Sequence, residues 1–352
     1  PFDATKVFIS EVLMADGSRK PIENIHIGDI VLAKNGTARP VVDSYEYPCS
    51  GDIIKLHIAG NNIPLRVTPG HMIWAIRGYG KKRPTTKVQR ERSILYDQSK
   101  LEYIAAGDLQ PGDIVTYPRL RPDSNKYNDT IDLAAFVRAD KHPHIKITDT
   151  DISSPVSSLP RYISVRSIAR LVGYYVAEGG TVCDSKGTKG IHFTLGNSKA
   201  TAQDDLLDIL TTVLPKASVG VDLTRKNANR INVFSVVLAE FFETQFGSSP
   251  TEKRIPEFLL HAPDDVIWDF LDAAFMGDGG RTVPRRLDYS TASDTLASQM
   301  ELLIRRLGFI SQIQFHEPPA SNPEWSPRYR IYISGAQIDR FVRHLRLISQ
   351  LV

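Results

Sequence analysis

Two acids, Glu178 and Asp278, end two matching stretches: Leu171-Val-Gly-Tyr-Tyr-Val-Ala-Glu-Gly-Gly180 and Leu271-Asp-Ala-Ala-Phe-Met-Gly-Asp-Gly-Gly280. The stretches align without a gap at an offset of 100 residues, so that Leu171 matches Leu271 and Tyr175 matches Phe275. Each reads as a helix with small residues one turn apart, Gly173 and Ala177 in one and Ala273 and Gly277 in the other. Such strips let two helix backbones approach closely, which would set both acids side by side at one end. That end carries the partial negative charge of two helix C-termini, and the carboxylates also repel each other. A hard divalent cation such as Mg²⁺ between them relieves both conflicts, since it takes oxygen ligands. The plainer reading is a pair of glycine-capped helices with an acid near each cap. The duplication of small residues, acid and double glycine favours the shared site.

The paired stretches resemble the two motifs of LAGLIDADG homing endonucleases in their single-chain form. The first copy keeps the Leu-x-Gly opening and the Ala-acid-Gly ending; the second has Ala273 for glycine and Gly277 before the acid. The resemblance implies that the motif helices form the interface between two halves. It implies that Glu178 and Asp278, with Ala177 and Gly277 before them, hold the catalytic metal, Mg²⁺ with Mn²⁺ able to substitute. Lys253-Arg-Ile-Pro256 matches a Lys-x-Ile-Pro block of intein-borne members, which makes Lys253 the expected catalytic lysine. A cation there would stabilise charge on a phosphate or lower the pKa of a water. The plainer reading of Lys253 is a surface lysine before a proline turn. For its counterpart in the second half, only Arg328 and Arg330 offer themselves.

Periodicity gives the elements that must position these groups. Ser164 or Ser167 caps the first motif helix. Strands are expected at 181–184 and 190–196, then a helix over 197–214 on the spacing of Leu206, Leu207, Leu210 and Val213. Strands at 218–223 and 230–234 and a helix near 236–246 complete the first half. In the second, Pro263 before Asp264 and Asp265 opens the motif helix. A strand at 287–290, a helix over 295–307, strands at 309–316 and 329–334 and a helix over 336–347 follow.

Residues 7–118 read differently, as short apolar runs between turn signals such as Ala15-Asp-Gly-Ser18 and Asn35-Gly36. Pro21–Ile25 is one of these runs, and Gly-Asp-Ile-Val occurs twice, at 28–31 and 112–115, hinting at two related sub-lobes. The ordered pieces Val12–Ser18, Ile22–Val31, Val67-Thr-Pro-Gly-His71 and Ala106–Asp113 resemble the Hint fold of inteins and hedgehog autoprocessing domains. By that resemblance Thr68 and His71 correspond to residues that polarise the scissile peptide at the N-terminal splice junction. The first-residue nucleophile falls near Thr5, a hindered hydroxyl where a thiol is usual. The chain given ends Ile348-Ser-Gln-Leu-Val352 without the terminal asparagine of splicing. Splicing activity is therefore expected to be absent, with Thr5, Thr68 and His71 vestigial.

The expected organisation is multidomain. An all-β, horseshoe-like Hint domain (1–118) and a linker (119–160) precede an α+β LAGLIDADG domain (161–352). The latter is expected as two pseudo-symmetric αββαββα halves, about 161–250 and 251–352. Composition is that of a globular protein, and the 352-residue length fits two or three domains. A net charge of +3 is too small to argue for nucleic acid, so distribution must decide. Arg77–Arg92 carries seven basic residues and one acid, and reads as a phosphate-contacting arm or a solvated loop. The expected DNA contacts are Lys81, Lys82, Arg83, Lys87, Arg90, Arg225, Arg230, Arg285, Arg286, Arg328 and Arg330. Two cysteines, Cys49 and Cys183, build no disulfide framework. Without a signal peptide or membrane-length apolar run, an intracellular protein is expected.

The functional expectation is a monomeric, site-specific endonuclease of intein origin that acts on a long double-stranded DNA target. A splicing element with an inactive nuclease and a non-cleaving, maturase-like DNA-binding protein are the alternatives. Intact acids in both motifs disfavour the second. No phosphate-cradling glycine loop suggests a small-molecule enzyme.

Overall fold

The computed structural model describes residues 10–47, 51–61, 63–78, 100–184, 187–224, 226–283 and 285–347. The chain divides into two units, Pro1–Ala15 with Arg19–Arg119, and Asp16–Ser18 with Leu120–Val352.

The described residues of the first unit form strands and 3-10 turns. Strands β1 (Glu11–Leu13) and β2 (Arg19–Pro21) pair, as do β3 (Ile30–Leu32) with β4 (Ala38–Pro40) and β5 (Ile54–Leu56) with β6 (Leu65–Val67). Strand β7 (Met72–Ile76) lies between β8 (Glu102–Ala105) and β9 (Ile114–Val115). The doubled Gly-Asp-Ile-Val is a doubled conformation. Gly28 and Gly112 have φ of 95° and 102°, which glycine adopts without steric cost. Each following aspartate accepts from a backbone N–H three residues back, His26 to Asp29 at 2.8 Å and Gln110 to Asp113 at 2.9 Å. Ile22–Asn24, inside the expected run Pro21–Ile25, is a 3-10 turn, and Ala106–Asp108 forms the same turn ahead of the second copy. No strand is possible there, because the turn must deliver the chain to the positive-φ glycine.

In the second unit, residues 120–164 carry structure where a linker was expected. Strand β10 (Thr130–Asp132) pairs with β14 (Tyr162–Ser164), and β11 (Lys146–Ile147), β12 (Asp151–Ser153) and β13 (Ser158–Pro160) form a small sheet. The sequence gives little periodicity because these strands are two or three residues long. The segment supports the first motif helix. Asp129 accepts from Arg166 N–H at 3.1 Å and from the Ser164 hydroxyl at 2.7 Å. It thereby caps helix α1 (Val165–Glu178) together with Ser164.

After α1 come β15 (Gly179–Asp184), β16 (Gly187–Gly196), α2 (Ala200–Val213), β17 (Ser218–Asp222), β18 (Ala228–Phe234) and α3 (Val236–Phe246). A one-turn helix α4 (Glu257–Leu260) precedes α5 (Asp264–Asp278). Then follow β19 (Gly279–Val283), β20 (Arg286–Thr291), α6 (Asp294–Arg306), β21 (Gln312–His316), β22 (Arg328–Ser334) and α7 (Ile338–Val342). The two four-stranded antiparallel sheets have the orders β15-β16-β18-β17 and β19-β20-β22-β21. The last helix is shorter than expected over 336–347: Gly335–Gln337 is a 3-10 turn, and tight turns close on Phe341 and Val342.

Helices α1 and α5 pack together through their small residues. A Cβ on Gly173 would lie 2.3 Å from Phe270 O and 2.8 Å from Ala273 Cβ. One on Gly277 would lie 2.4 Å from Ala177 Cβ. Each glycine thus faces the alanine of the other helix, and the backbones come as close as a missing methyl permits. Tyr175 packs with Phe193, Phe242 and Phe246, and Phe275 with Tyr289 and Phe341, so each motif helix also anchors an aromatic cluster.

Candidate active site

The chain leaves each motif helix through a glycine whose hydrogen is required by proximity. Gly179 and Gly279 have extended φ, −93° and −83°, and bond back to Tyr175 O and Phe275 O. Neither takes the left-handed cap conformation common in glycine-terminated helices. An added Cβ would instead lie 2.6 Å from Tyr175 Cα or 2.2 Å from Phe275 O. The glycines therefore turn the chain straight from helix into the first strand of each sheet. This leaves Glu178 and Asp278 at the junction, beside the Ala177–Gly277 contact.

Asp278 is the more withdrawn from water, whereas Glu178 keeps 20% of its side-chain surface. Burial first, and then the neighbouring Glu178 charge, raise the Asp278 carboxyl to about 8. Glu178 has found a cation: Lys199 Nζ lies 2.7 Å from Glu178 Oε1 and also donates to the Gly277 carbonyl. The ammonium thus sits on an acid of one motif helix and a backbone oxygen of the other. Ala177, Gly179, Asp278 and Lys253 line one open cavity of about 400 Å³, with Thr291 and Trp325 at its wall.

Lys253 is held at both ends. Its carbonyl accepts from the Ser293 hydroxyl at 2.6 Å, and its ammonium donates to Gly247 O at 3.1 Å. The ammonium also lies 3.5 Å from the centre of the Tyr175 ring. The side chain is 3% exposed, and burial lowers its pKa to about 7. The surface-lysine reading of Lys253 is therefore corrected. Gly247, at φ 79°, makes the fold-back possible, since a Cβ there would meet Glu252 O at 2.2 Å.

Among the described residues, no group of three or more His, Cys, Asp and Glu side chains converges as a metal cage. The donors on offer are two carboxylates and backbone carbonyls. Such an all-oxygen set, with waters completing it, suits a hard cation, and the ammonium already seated on two of its oxygens shows that it accepts positive charge.

Away from the helices, each sheet presents a polar face. Buried Ile191, Phe193, Leu195, Ile231 and Val233 point toward the helices from the first sheet. By alternation the other face carries His192, Thr194, Arg230 and Asn232, with Asp222 opposite Arg230. In the second sheet Leu287, Tyr289, Ile313, Ile331 and Ile333 are buried. The opposite face carries Arg286, Ser290, Gln312, Gln314, His316, Arg328 and Arg330, with Arg330 between Ser290 and Gln314. Arg286 stacks over Tyr332 at 4.4 Å, and Arg328 over Trp325 at 5.6 Å. Arg285 is exposed in the turn before β20, with φ 62°. Lys81, Lys82, Arg83, Lys87, Arg90 and Arg225 lie outside the described residues, as does Thr5. Thr68 and His71 close an exposed turn in which His71 N–H donates to Thr68 O at 3.0 Å.

Sequence reasoning missed the contact of Lys199 with Glu178 and Gly277, and missed Trp325 and the glutamines of β21. Lys199 carries a signal: it occupies the N-cap of α2 without any side-chain cap bond. A lysine is the wrong residue for the positive end of a helix. Gln312 and Gln314 alternate with buried Ile313, a pattern readable only once the strand register is known.

Comparison with known proteins bears on these features. Residues 9–45 match a model described as homing-endonuclease-associated Hint, and residues 265–346 match a LAGLIDADG-like domain. The chain is 26% identical over 332 residues to an uncharacterised protein of Methanocaldococcus jannaschii, covering 90% of this chain and 39% of that protein. It is 26% identical over 325 residues to the ATP-dependent DNA helicase Hel308 of Thermococcus kodakarensis, covering 86% and 27%. Against an iron–sulfur cluster assembly SufBD family protein of Mycobacterium tuberculosis, it is 22% identical over 317 residues, covering 87% and 33%. The chain thus spans between about a quarter and two fifths of the length of these relatives. A solved structure of a variant of the homing endonuclease I-DmoI overlays at a TM-score of 0.40 and 17% identity, covering 51% of this chain and 96% of that one. With a Hint segment at its start and a LAGLIDADG-like domain at its end, the chain has the architecture of an intein-associated homing endonuclease.

Proposed function

We propose that this chain is a site-specific endonuclease that hydrolyses one phosphodiester in each strand of double-stranded DNA. The observation that carries the reading is the convergence of Glu178 and Asp278 from two motif helices, with Asp278 and Lys253 lining a single open cavity. Two helix ends and two acids brought together are costly. A protein keeps such an arrangement where it holds a cation.

Glu178, Asp278 and the carbonyls of Ala177 and Gly277 would hold Mg²⁺, with Mn²⁺ as a substitute. A metal bound there supplies Lewis acidity and an activated water for hydrolysis. The chain's own residues do the rest. Lys253, fixed by Gly247 and Ser293 and with its pKa lowered to about 7, stands at the cavity as a group that exchanges a proton with water there or, once protonated, orients a phosphate. The two sheets, alike in strand order and each fed by one motif helix, form pseudo-symmetric halves, so one monomer addresses both strands. Their polar faces supply arginines and amides of the kind that read guanine and adenine edges in a major groove. Arg230, Arg286, Arg328 and Arg330 are the described candidates for contacts to bases and phosphates.

Intein origin is supported by the relatives. A helicase and an iron–sulfur assembly protein share no activity, yet each aligns with this chain over a minor part of its length. A self-contained insert moving between hosts accounts for that pattern. The test is a selection of random duplexes bound by the full chain in Ca²⁺, followed by Mg²⁺. A recovered site should be cut in both strands with Mg²⁺ and left whole with a chelator. Enriched duplexes that Mg²⁺ and Mn²⁺ leave intact would favour a binding protein instead.

A further inference from the structure

Lys199 breaks a local rule and keeps a long-range one. At the N-cap of α2 a Ser, Thr, Asp or Asn would bond the exposed backbone N–H groups, and a cation meets the positive end of the helix dipole. The residue at the same place on α6, Ser293, does cap its helix, accepting from Leu296 N–H at 3.1 Å. Lys199 makes no such bond. Its ammonium instead spans the junction of the motif helices, on Glu178 Oε1 and on the carbonyl of Gly277. Those are two of the oxygens assigned above to the metal. Lys199 and Glu178 keep 31% and 20% of their side-chain surface, so the pair is accessible to an incoming ion.

We infer that Lys199 is a built-in counter-ion that occupies part of the metal site in the free protein and is displaced when the divalent cation binds. The inference rests on the metal reading of Glu178 and Asp278. It follows from charge: an ammonium seated on Glu178 Oε1 and Gly277 O repels a divalent cation brought to the same two oxygens. In the free protein Lys199 offsets the repulsion at the helix ends. On metal binding it is released on its four-carbon stem. The consequence is a moderated metal affinity, with Lys199 competing for the site.

The test is calorimetric titration of the full chain with Mn²⁺, alongside thermal unfolding with and without the ion. The variants are Lys199→Met, the shorter Lys199→Ala, and the double amide Glu178→Gln with Asp278→Asn. Both Lys199 variants should bind Mn²⁺ at least several-fold more tightly than the parent. Their metal-free melting temperatures should fall, and the rise on adding Mn²⁺ should be larger. Affinity equal to or weaker than the parent's in both Lys199 variants overturns displacement and makes Lys199 a structural or phosphate-facing cation. Mn²⁺ binding that survives in the double amide refutes the metal site itself, a separate failure.

Discussion

At the residue scale, Lys253 and Lys199 show two ways of holding a lysine: one buried, the other partly exposed on a carboxylate. Lys199 has a carboxylate; Lys253 has a carbonyl and the face of Tyr175. The latter arrangement leaves the charge poorly solvated, which is why burial depresses its pKa to about 7. The linkage has a definite sign. Above about 10.5 the lysine is neutral in folded and unfolded chains, and no penalty exists. As pH falls from there toward 7, the unfolded chain takes up the proton and the folded chain does not, so stability is lost. Lys253→Met should therefore be more stable than the parent at pH 6, by about 3 kcal/mol, and the gap should narrow steadily toward pH 10. Calorimetric melting at pH 6, 8 and 9.5 checks this; a gap independent of pH would mean that Lys253 stays charged through favourable contacts. The place of Lys253 beside the cavity was legible in the sequence because Lys-x-Ile-Pro is contiguous. Lys199 was not, because its partners lie 21 and 78 residues away and only the packing of α1 on α5 brings them together.

At the scale of elements, the motif helices were the most legible part of the chain. Their small residues, acids and double glycines fixed the contact and the end at which the acids meet. The alternation of partners was not visible: Gly173 faces Ala273, and Gly277 faces Ala177. This complementarity makes a sharp prediction. Gly277→Ala sets two methyl groups about 2.4 Å apart and should destabilise the fold by about 2 kcal/mol. Adding Ala177→Gly returns the missing methyl to the other side of the same gap, and should recover more than half of the loss apart from the glycine's own helix cost. Urea unfolding of the two single variants and the pair measures the coupling. Purely additive effects would show that the helices do not meet at this point. The short strands of 130–160 could be expected but not placed from the sequence, for a physical reason: two- and three-residue strands have no period to detect. The overlong final helix failed for another, since its apolar spacing is kept by a 3-10 turn and tight turns.

At the scale of the whole molecule, the chain combines a β-rich unit that matches a Hint segment with an α+β unit that ends in a LAGLIDADG-like domain. Among the described residues, no helix is long and apolar enough to cross a membrane. The surfaces proposed for DNA are the polar faces of two sheets, whereas the catalytic proposal resides in two carboxylates at the ends of the motif helices. Binding and cutting should therefore separate. The most direct measurement is strand cleavage of a selected duplex by the parent, Glu178→Gln and Asp278→Asn, each in Mg²⁺, with affinity for the same duplex measured in Ca²⁺. Each amide keeps the size of its acid and removes its charge. The account predicts that either change lowers the cutting rate by about a hundredfold or more while the affinity in Ca²⁺ stays within a few-fold of the parent's. Cutting at the parental rate by both variants would contradict it, and would leave Glu178 and Asp278 as acids that merely end two helices.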